Sequence, residues 1–521
     1  MIDLAIRNGL VVDGTGAPGR TCDVLVDDGR VAIVGDVDRV DAEQVDAAGL
    51  AVGPGFVDLH SHSDYTLLVD PRAVSAIHQG VTTEVVGNCG FGCFPIRDPD
   101  TARRAIYGYS DDLPLTWSSA GEYFARLDAA RPAVNVLSLV PNGQLRLATL
   151  GLADRPADAR EVGEMASLLR ESLEEGAWGY STGLEYAQEQ GATEGEVTAL
   201  ARRAPFYATH TRRRDDGAAE AVAEAIRTGD RAEVRLQVSH LVPRNGLAES
   251  RRCVELVDAA RERGQDVAFD MHTRTFGLTN LYAALPPWAL ALGRDELAAA
   301  LRDPDCRDAM RGHRSILSAG DDWSRVVLLD NDIWPEHARR DVAAIAADRG
   351  VDALDAVYDL LLGGVDELHR LMVTINAYSE EQQREAFAHP LCVPGSDATT
   401  LAPDGPLRES FFHGAYTWAA WFWRFMVREQ RLLDPAEAVH RLSGAPAERI
   451  GLLDRGRLVP GARADVVVFD PEGFEERGTT FEPNLLAAGM RHVLVNGVPA
   501  LRDGQLTGAR AGEVLRRPTY S

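Results

Sequence analysis

The sequence predicts an α/β fold: a (β/α)8 TIM barrel with a small β-sandwich built from both termini and a helical insertion before the last barrel strand. From residue 52, eight short apolar runs alternate with helical segments, as barrel strands and their crossover helices do. Residues 274–389 are too many for one connection between strands, so an inserted subdomain is expected there. Short alternating runs at both ends predict the sandwich.

These terminal runs read as antiparallel sheet. Residues 2–51 alternate apolar and polar side chains, interrupted by the turn pairs Asp13-Gly14 and Asp28-Gly29. Strand patterns return at residues 466–469 and 493–495. We therefore expect residues 1–51 and 447–521 to form one composite β-sandwich. Residues 52–446 would form the barrel, with its insertion at about 275–389.

Each predicted barrel strand is a short apolar run that ends in polar residues. The eight runs are residues 56–59, 82–86, 134–140, 178–181, 206–209, 234–239, 267–269 and 391–394. Barrels of this kind carry their active sites at the carboxyl ends of the strands. The residues that follow each run are therefore the candidates for chemistry.

Composition and charge limit the partners of the protein. The chain of 521 residues has a net charge of −25, which disfavours nucleic acids and anionic membrane surfaces. No apolar stretch reaches the roughly 20 residues of a membrane span, and the first residues lack the features of a signal peptide. Six scattered cysteines form no disulfide framework. We expect a cytoplasmic enzyme with a small-molecule substrate, and the oligomeric state stays open.

The sequence contains no lysine, so every basic side chain other than histidine is arginine. Lysine Schiff-base chemistry and phosphate binding by a Walker-type lysine are therefore excluded. A carbamylated lysine that bridges two metal ions is excluded as well. Any bridge between two metals must be another side chain.

Metal-ligating side chains recur at the ends of the predicted barrel strands. His60 and His62 end the first run, and alternate residues of a strand point to one side, so their imidazoles project together. Cys89 follows the second run, where a thiolate is a suitable soft ligand for Zn²⁺. The full set is His60, His62, Cys89, His210, His240 and Asp397. Unrelated histidines would not fall so regularly at strand ends, so we expect a divalent metal site at this rim.

These motifs resemble those of the amidohydrolase superfamily and, within it, the N-acyl-D-amino-acid deacylase (D-aminoacylase) family. The matching segments are residues 54–64, 79–90, 181–186, 207–210, 239–241, 395–397 and 460–470. The most specific is Gly-Asn-Cys-Gly at residues 87–90. In that family a cysteine takes the bridging place that a carbamylated lysine fills in many relatives, which agrees with a chain that lacks lysine.

The resemblance implies a role for each member of the set. Cys89, His210 and His240 would hold one tightly bound Zn²⁺. His60 and His62 would form a second, weaker site that shares the cysteine. The implied reaction is zinc-dependent hydrolysis of a linear amide, the deacylation of an N-acyl-D-amino acid or a close analogue.

Asp397 would be the general base and acid, and Tyr186 is retained among the family's substrate contacts. The other contacts differ. The lysine usual after the sixth-strand histidine is absent, and the segment after the seventh strand, tyrosine-rich in the family, contains Arg274 instead. Arg244 or Arg274 could restore a carboxylate clamp, because arginine binds carboxylates bidentately. Whether the substrate carries a carboxylate stays open.

Two functions other than deacylation are compatible with these motifs. One is a cyclic amidase of the dihydroorotase or hydantoinase kind, and the other is a catalytically silent metal-binding protein, against which the retained Asp397 argues.

Three further patterns predict no additional site. Residues 179–183 match a nucleophile elbow, but no helix pattern follows as that motif requires. The glycines at residues 14–19 likewise lack the helix that dinucleotide binding needs. The aromatic run at residues 416–425 predicts a buried helix face.

Overall fold

The computed structural model describes residues 2–38, 40–109, 112–244, 246–317 and 321–518. The chain begins with five strands: β1 (Leu4–Val11), β2 (Arg20–Asp27), β3 (Arg30–Gly35), β4 (Glu43–Asp46) and β5 (Ala51–Pro54). β1 pairs antiparallel with β2, and β2 with β3, whereas β4 and β5 run parallel to β1. The glycine-rich residues 14–19 form an irregular connection between β1 and β2 and open no helix.

Eight parallel strands form the barrel: β6 (Phe56–Asp58), β7 (Val81–Val86), β8 (Asn135–Pro141), β9 (Gly179–Gly183), β10 (Phe206–His210), β11 (Arg235–Val238), β12 (Val267–His272) and, after an insertion, β16 (Cys392–Gly395). The ring closes beyond β16, where Asp397 N donates to His60 O at 2.9 Å and His62 N donates to Ala398 O at 2.8 Å. Nearly all strand residues are buried, because helices cover the outside and side chains fill the inside. The eight predicted barrel strands are confirmed.

Helices connect the barrel strands on the outside of the ring. They are α1 (Thr66–Val69), α2 (Val74–His78), α3 (Pro99–Ala102), α4 (Ala120–Ala130), α5 (Asn142–Leu150), α6 (Ala159–Glu174), α7 (Glu194–Ala201), α8 (Ala218–Ala232) and α9 (Leu247–Glu262). Capping boxes begin two of them, Ser119 with Glu122 at α4 and Asp158 with Glu161 at α6. Each box satisfies amide groups that the first helical turn leaves free. Of the helices in the described residues, none is long and apolar enough to cross a membrane.

The insertion holds helices and a small antiparallel sheet. Its strands are β13 (Phe276–Asn280), β14 (Val326–Leu328) and β15 (Met372–Asn376), with β15 in the centre. Its helices are α10 (Pro287–Leu290), α11 (Arg294–Arg302), α12 (Pro304–Arg311), α13 (Val342–Arg349) and α14 (Ala353–Gly363), and α15 (Glu380–Ala388) leads back to the barrel. A separate apolar cluster that includes Leu301, Tyr358 and Val373 fills the insertion. The helices were expected, but the three-stranded sheet was not.

The C-terminal part returns to the first sheet. Helices α16 (Gly414–Trp423), α17 (Pro435–Val439) and α18 (Ala445–Ile450) precede strands β17 (Val466–Phe469), β18 (Met490–Val495), β19 (Val498–Arg502) and β20 (Gln505–Leu506). Most aromatic side chains of residues 416–425 are buried, as expected. β17 pairs antiparallel with β5, which joins both termini in one nine-stranded sheet. The division of the chain at residues 51 and 447 stays a prediction.

One face of this sheet encloses its own core. Val466 and Val468 of β17 share an apolar cluster with Leu4 of β1 and Val24 of β2. The alternate residue Val467 belongs to the cluster that packs around the barrel. Alternate side chains of β17 therefore pack on opposite faces of the sheet. One face has its own core, and the other packs against the barrel.

Candidate metal centre

The structure brings the six predicted residues to one rim of the barrel. His60 and His62 follow β6, Cys89 follows β7, and His210 is the last residue of β10. The other two, His240 and Asp397, follow β11 and β16. All six are buried except Asp397, whose side chain is 20% exposed. Ligand atoms of His60, Cys89, His240 and Asp397 all lie within 4.8 Å of one another.

The remaining two histidines border this compact group. His62 Nε2 lies 3.3 Å from Asp397 Oδ1, and the rings of His210 and His240 meet edge to face with centroids 4.5 Å apart. His210 Nε2 faces Glu185 Oε2 at 2.9 Å rather than the thiol. The set predicted from the sequence is therefore contiguous, with two members at its edge.

Three residues of the rim adopt backbone conformations that side chains rarely take. The φ angles are 54° at Cys89, 34° at His240 and 44° at Asp397. Such left-handed conformations cost about 1–3 kcal/mol each and concentrate at functional sites. Gly183 allows the main chain of Cys89 to approach closely, because a Cβ at residue 183 would lie 2.0 Å from Cys89 O. The fold thus holds the rim side chains in place against local strain.

The spacing of the donor atoms fits a metal ion. Cys89 Sγ lies 3.1 Å from His60 Nε2 and 3.5 Å from His240 Nε2. Tetrahedral Zn²⁺ with its usual bond lengths places sulfur and nitrogen ligands about 3.5 Å apart. The Nδ1 atoms of His62, His210 and His240 are also buried without a hydrogen-bond partner in the described part of the chain. Buried polar atoms normally have partners, so residues and spacing both fit a metal centre.

Two carboxylates orient the histidines from behind. Asp270 Oδ1 lies 2.9 Å from His60 Nδ1 and accepts the main-chain N–H of His240 at 2.8 Å. Glu185 takes the corresponding place at His210 Nε2. An ionised carboxylate accepts hydrogen bonds but donates none, so each of these ring nitrogens is the donor. His60 Nε2 and His210 Nδ1 are then free as ligands, the usual arrangement around metal-bound histidine.

Burial lowers the pKa of His62, His210 and His240 and keeps their imidazoles neutral. It lowers the pKa of His210 to about 4, although the Glu185 hydrogen bond opposes this shift. It also lowers the pKa of His240 well below its ordinary value, and the Arg214 charge adds to this effect. Neutral imidazole is the form that binds metal. Burial also acts to lower the pKa of His60, but the Cys89 sulfur and the Asp270 carboxylate have the larger combined effect. The pKa of His60 is therefore raised above its ordinary value.

Asp397 is held as an ionised carboxylate. Burial raises its pKa, but the Arg274 guanidinium and the His62 hydrogen bond outweigh that effect and hold the pKa well below its usual range. Arg274 Nη2 donates to Asp397 Oδ2 at 2.8 Å, and its Nη1 donates to the main-chain oxygen of Ser396 at 2.7 Å. The carboxylate is therefore charged and fixed at the edge of the donor group.

Aromatic rings border the centre on one side. The Tyr186 ring lies 4.6 Å from that of His210 and 4.7 Å from that of Phe91. Tyr107 packs 4.4 Å from Phe91 and 4.7 Å from His62. Tyr186 therefore lies beside a predicted metal ligand, and its role as a substrate contact stays a prediction. Phe91 and Tyr107 were missed, because single aromatic residues in loops carry no periodic signal.

Both arginines proposed as a carboxylate clamp lie near the centre and face carboxylates. Arg244 Nη2 forms an ion pair with Glu185 Oε1, and Arg274 pairs with Asp397. The two arginines are 5% and 4% exposed. Their role in substrate binding stays a prediction.

The nucleophile-elbow motif has a structural use here. Ser181 Oγ is buried, donates to Gly87 O and accepts from Gly90 N at 3.2 Å. The next helix after its strand begins only at Glu194. Ser181 therefore braces the loop that carries Cys89.

Comparisons with known proteins agree with this geometry. The profile of the amidohydrolase family matches residues 43–500. The N-acyl-D-glutamate deacylase of Alcaligenes xylosoxydans xylosoxydans is 33% identical, over 99% of this chain and 97% of that protein. The crystal structure of D-aminoacylase has a TM-score of 0.81 and 30% identity, covering 99% of this chain and 100% of its own. N-acyl-D-glutamate deacylase from Bordetella bronchiseptica, complexed with zinc and a phosphonate inhibitor, has a TM-score of 0.80 and 32% identity over 99% of each chain.

The barrel and its rim of histidine, cysteine and carboxylate ligands define a metal-dependent hydrolase that acts on carbon–nitrogen bonds other than peptide bonds. Two solved structures with this architecture, D-aminoacylase and N-acyl-D-glutamate deacylase, each match 99% of this chain. The chain belongs to the amidohydrolase family.

Proposed function

We propose that this chain is a zinc-dependent deacylase of N-acyl-D-amino acids or of close analogues. The observation that carries the proposal is Cys89 between His60 and His240, with the Asp397 carboxylate within the same 4.8 Å group. Full-length similarity to N-acyl-D-glutamate deacylase and D-aminoacylase supports the substrate class.

The proposed ligands divide into two sets. Cys89, His210 and His240 would hold one zinc tightly, because three protein ligands close a site better than two. His60 and His62 would form a second, weaker site that shares the thiolate. When bound, Zn²⁺ supplies Lewis acidity that polarises an amide carbonyl and acidifies water.

Asp397 moves the proton in this proposal. Its carboxylate, which Arg274 keeps ionised, accepts a proton from the attacking water as the water oxygen bonds to the acyl carbon. The same proton is then delivered to the nitrogen as the carbon–nitrogen bond breaks, which releases a carboxylic acid and a free amino acid. Proton transfer of this kind typically contributes 10²–10⁴-fold to the rate.

The substrate would lie against the aromatic border. The Tyr186, Phe91 and Tyr107 rings give an apolar wall beside the candidate ligands. We propose that Tyr186 contacts the substrate, and that Arg244 and Arg274 lie beside its polar end. A linear amide is favoured over a cyclic one, because N-acyl-D-glutamate deacylase and D-aminoacylase, which match the chain at 33% and 30% identity, are both named as enzymes that act on linear N-acyl amino acids.

A substrate panel tests this proposal. Zinc-loaded protein is assayed with N-acetyl-D-amino acids, their L enantiomers and cyclic imides, and release of free amine is measured. We expect hydrolysis of at least one N-acetyl-D-amino acid at a higher kcat/KM than its L enantiomer. Turnover of cyclic imides alone would replace deacylation by cyclic amidase activity, and no turnover at all would support a silent metal-binding protein.

A further inference from the structure

Three arginines are buried around the metal centre, and their charges are not equally balanced. Arg244 pairs with Glu185, and Arg274 pairs with Asp397. The third, Arg214, is 5% exposed. In the part of the chain that the structure describes, no carboxylate lies within 4.0 Å of its guanidinium, whereas each of the other two has one.

The contacts of Arg214 leave most of its donors unused. Its Nη2 donates to the main-chain oxygens of His240 at 2.7 Å and Val242 at 3.0 Å. Among the described residues these are the acceptors of its guanidinium, and its Nε is buried without a partner. A guanidinium offers five N–H donors in a planar fork. The Nε and Nη1 donors therefore remain open beside the segment that carries His240.

Arg214 lies beside the candidate metal ligands. It contacts the main chain of the candidate ligand His240, and its Cζ lies 5.7 Å from the centre of the Tyr378 ring. Tyr378 in turn packs on His272, the last residue of β12, with centroids 4.9 Å apart. The Arg214 charge lowers the pKa of His240, after the larger effect of burial. The guanidinium thus lies next to the ligands rather than at the protein surface.

A buried cation without a counter-ion is costly unless an anion joins it. In an N-acyl-α-amino acid, the carboxylate carbon is three bonds from the acyl carbon that is attacked. The group that binds this carboxylate must therefore lie close to the metal ligands. Arg214 does, since it contacts the main chain of His240. Arg244 and Arg274 each pair with a protein carboxylate already, so Arg214 is the arginine of the three that is left to pair with a substrate carboxylate.

We propose that Arg214 binds the α-carboxylate of the substrate, while Arg244 and Arg274 act through Glu185 and Asp397 as positioning residues. This inference rests on the proposed deacylase function and refines it, since it assigns the carboxylate contact to a residue outside the expected pair. It also predicts that the N-acyl group must be attached to an acid, rather than to a simple amine.

The test compares a carboxylate substrate with its decarboxylated analogue. N-acetyl-D-leucine and N-acetyl-3-methylbutylamine are assayed with zinc-loaded wild-type protein and the variants Arg214→Met and Arg214→Lys. Arg213→Met is the matched control, because Arg213 lies in the same loop but is half exposed and pairs with Asp215 and Asp216. Zinc content and thermal unfolding are measured for each protein.

We expect Arg214→Met to lose about 10–150-fold in kcat/KM for N-acetyl-D-leucine, the value of one charge-assisted hydrogen bond. The preference for the acid over the amine should fall by the same factor. Arg214→Lys should retain part of that preference, and Arg213→Met all of it, with zinc retained throughout.

Three outcomes overturn the inference. Equal losses on acid and amine, or loss of zinc in Arg214→Met and Arg214→Lys alike, would make Arg214 a structural residue. An undiminished kcat/KM for the acid in Arg214→Met would remove it from the pocket. If wild-type protein hydrolyses no N-acyl-D-amino acid, the proposed function itself fails, and this inference fails with it.

Discussion

Glu185 joins a predicted metal ligand to a predicted substrate residue, and replacing it should affect stability and metal binding together. Its carboxylate lies 2.9 Å from His210 Nε2 and forms an ion pair with buried Arg244. Burial raises its pKa, but Arg244 and His210 outweigh this and lower the pKa from 4.5 to about 2. A shift of this size corresponds to about 3 kcal/mol, close to the 3–5 kcal/mol lost when one partner of a buried ion pair is removed.

We therefore expect Glu185→Gln to lower the free energy of unfolding by about 3 kcal/mol. It should also weaken zinc affinity about 10–100-fold, because the amide no longer fixes the His210 ring as a carboxylate does. Urea unfolding of metal-free protein measures the first effect, and zinc competition with a chromophoric chelator measures the second.

Glu196→Gln provides the matched control. Glu196 forms an ion pair with Arg146, both side chains are 1% exposed, and both lie outside the rim. This variant should lose a similar free energy of unfolding and keep the wild-type zinc affinity. If Glu185→Gln bound zinc as tightly as wild type, or if both variants lost affinity equally, Glu185 would not orient a metal ligand.

Three further outcomes are expected. Cys89→Ala should lose bound zinc and activity, and normal metal content with normal turnover would remove the thiolate from the centre. Asp397→Asn should keep zinc but lose about 10²–10⁴-fold in kcat, whereas a loss below tenfold would require another base. Burial raises the pKa of Glu189 from 4.5 to about 7 despite its Asn142 hydrogen bond. The protonated carboxyl group therefore stabilises the folded state fully below pH 4.5, and this stabilisation is lost as the pH rises through 7. Glu189→Gln should therefore unfold like wild type at pH 4 and be more stable at pH 8 by up to about 3 kcal/mol; equal stability at pH 8 would contradict the buried charge.

The barrel and the grouping of the candidate ligands at its rim were predictable because they repeat. Each parallel strand is an apolar run, and His60, His62, His210 and His240 stand at the same place relative to such runs. Residues that follow β6 and β16 could be predicted to lie together despite their wide sequence separation, because the carboxyl ends of all barrel strands lie at one rim.

The buried charged residues behind the rim could not be predicted. Glu185 is a single charged residue in a loop, and Arg214 lies in the run of charged residues 212–216. Both patterns are far more often a solvated surface. Tyr378 reaches the site from the insertion, whose packing no local pattern reveals. The sheet of the insertion was missed for a related reason, since β14 has three residues and gains its stability from pairing with distant β15.

Titration of metal-free protein with zinc is the most direct test of the proposed zinc-dependent hydrolysis. Protein freed of metal by a chelator is titrated with Zn²⁺, and hydrolysis of N-acetyl-D-amino acids is measured at each addition. We expect no activity without metal and recovery with the first equivalent of Zn²⁺, which Cys89, His210 and His240 should bind most tightly. Undiminished hydrolysis by metal-free protein would contradict this expectation.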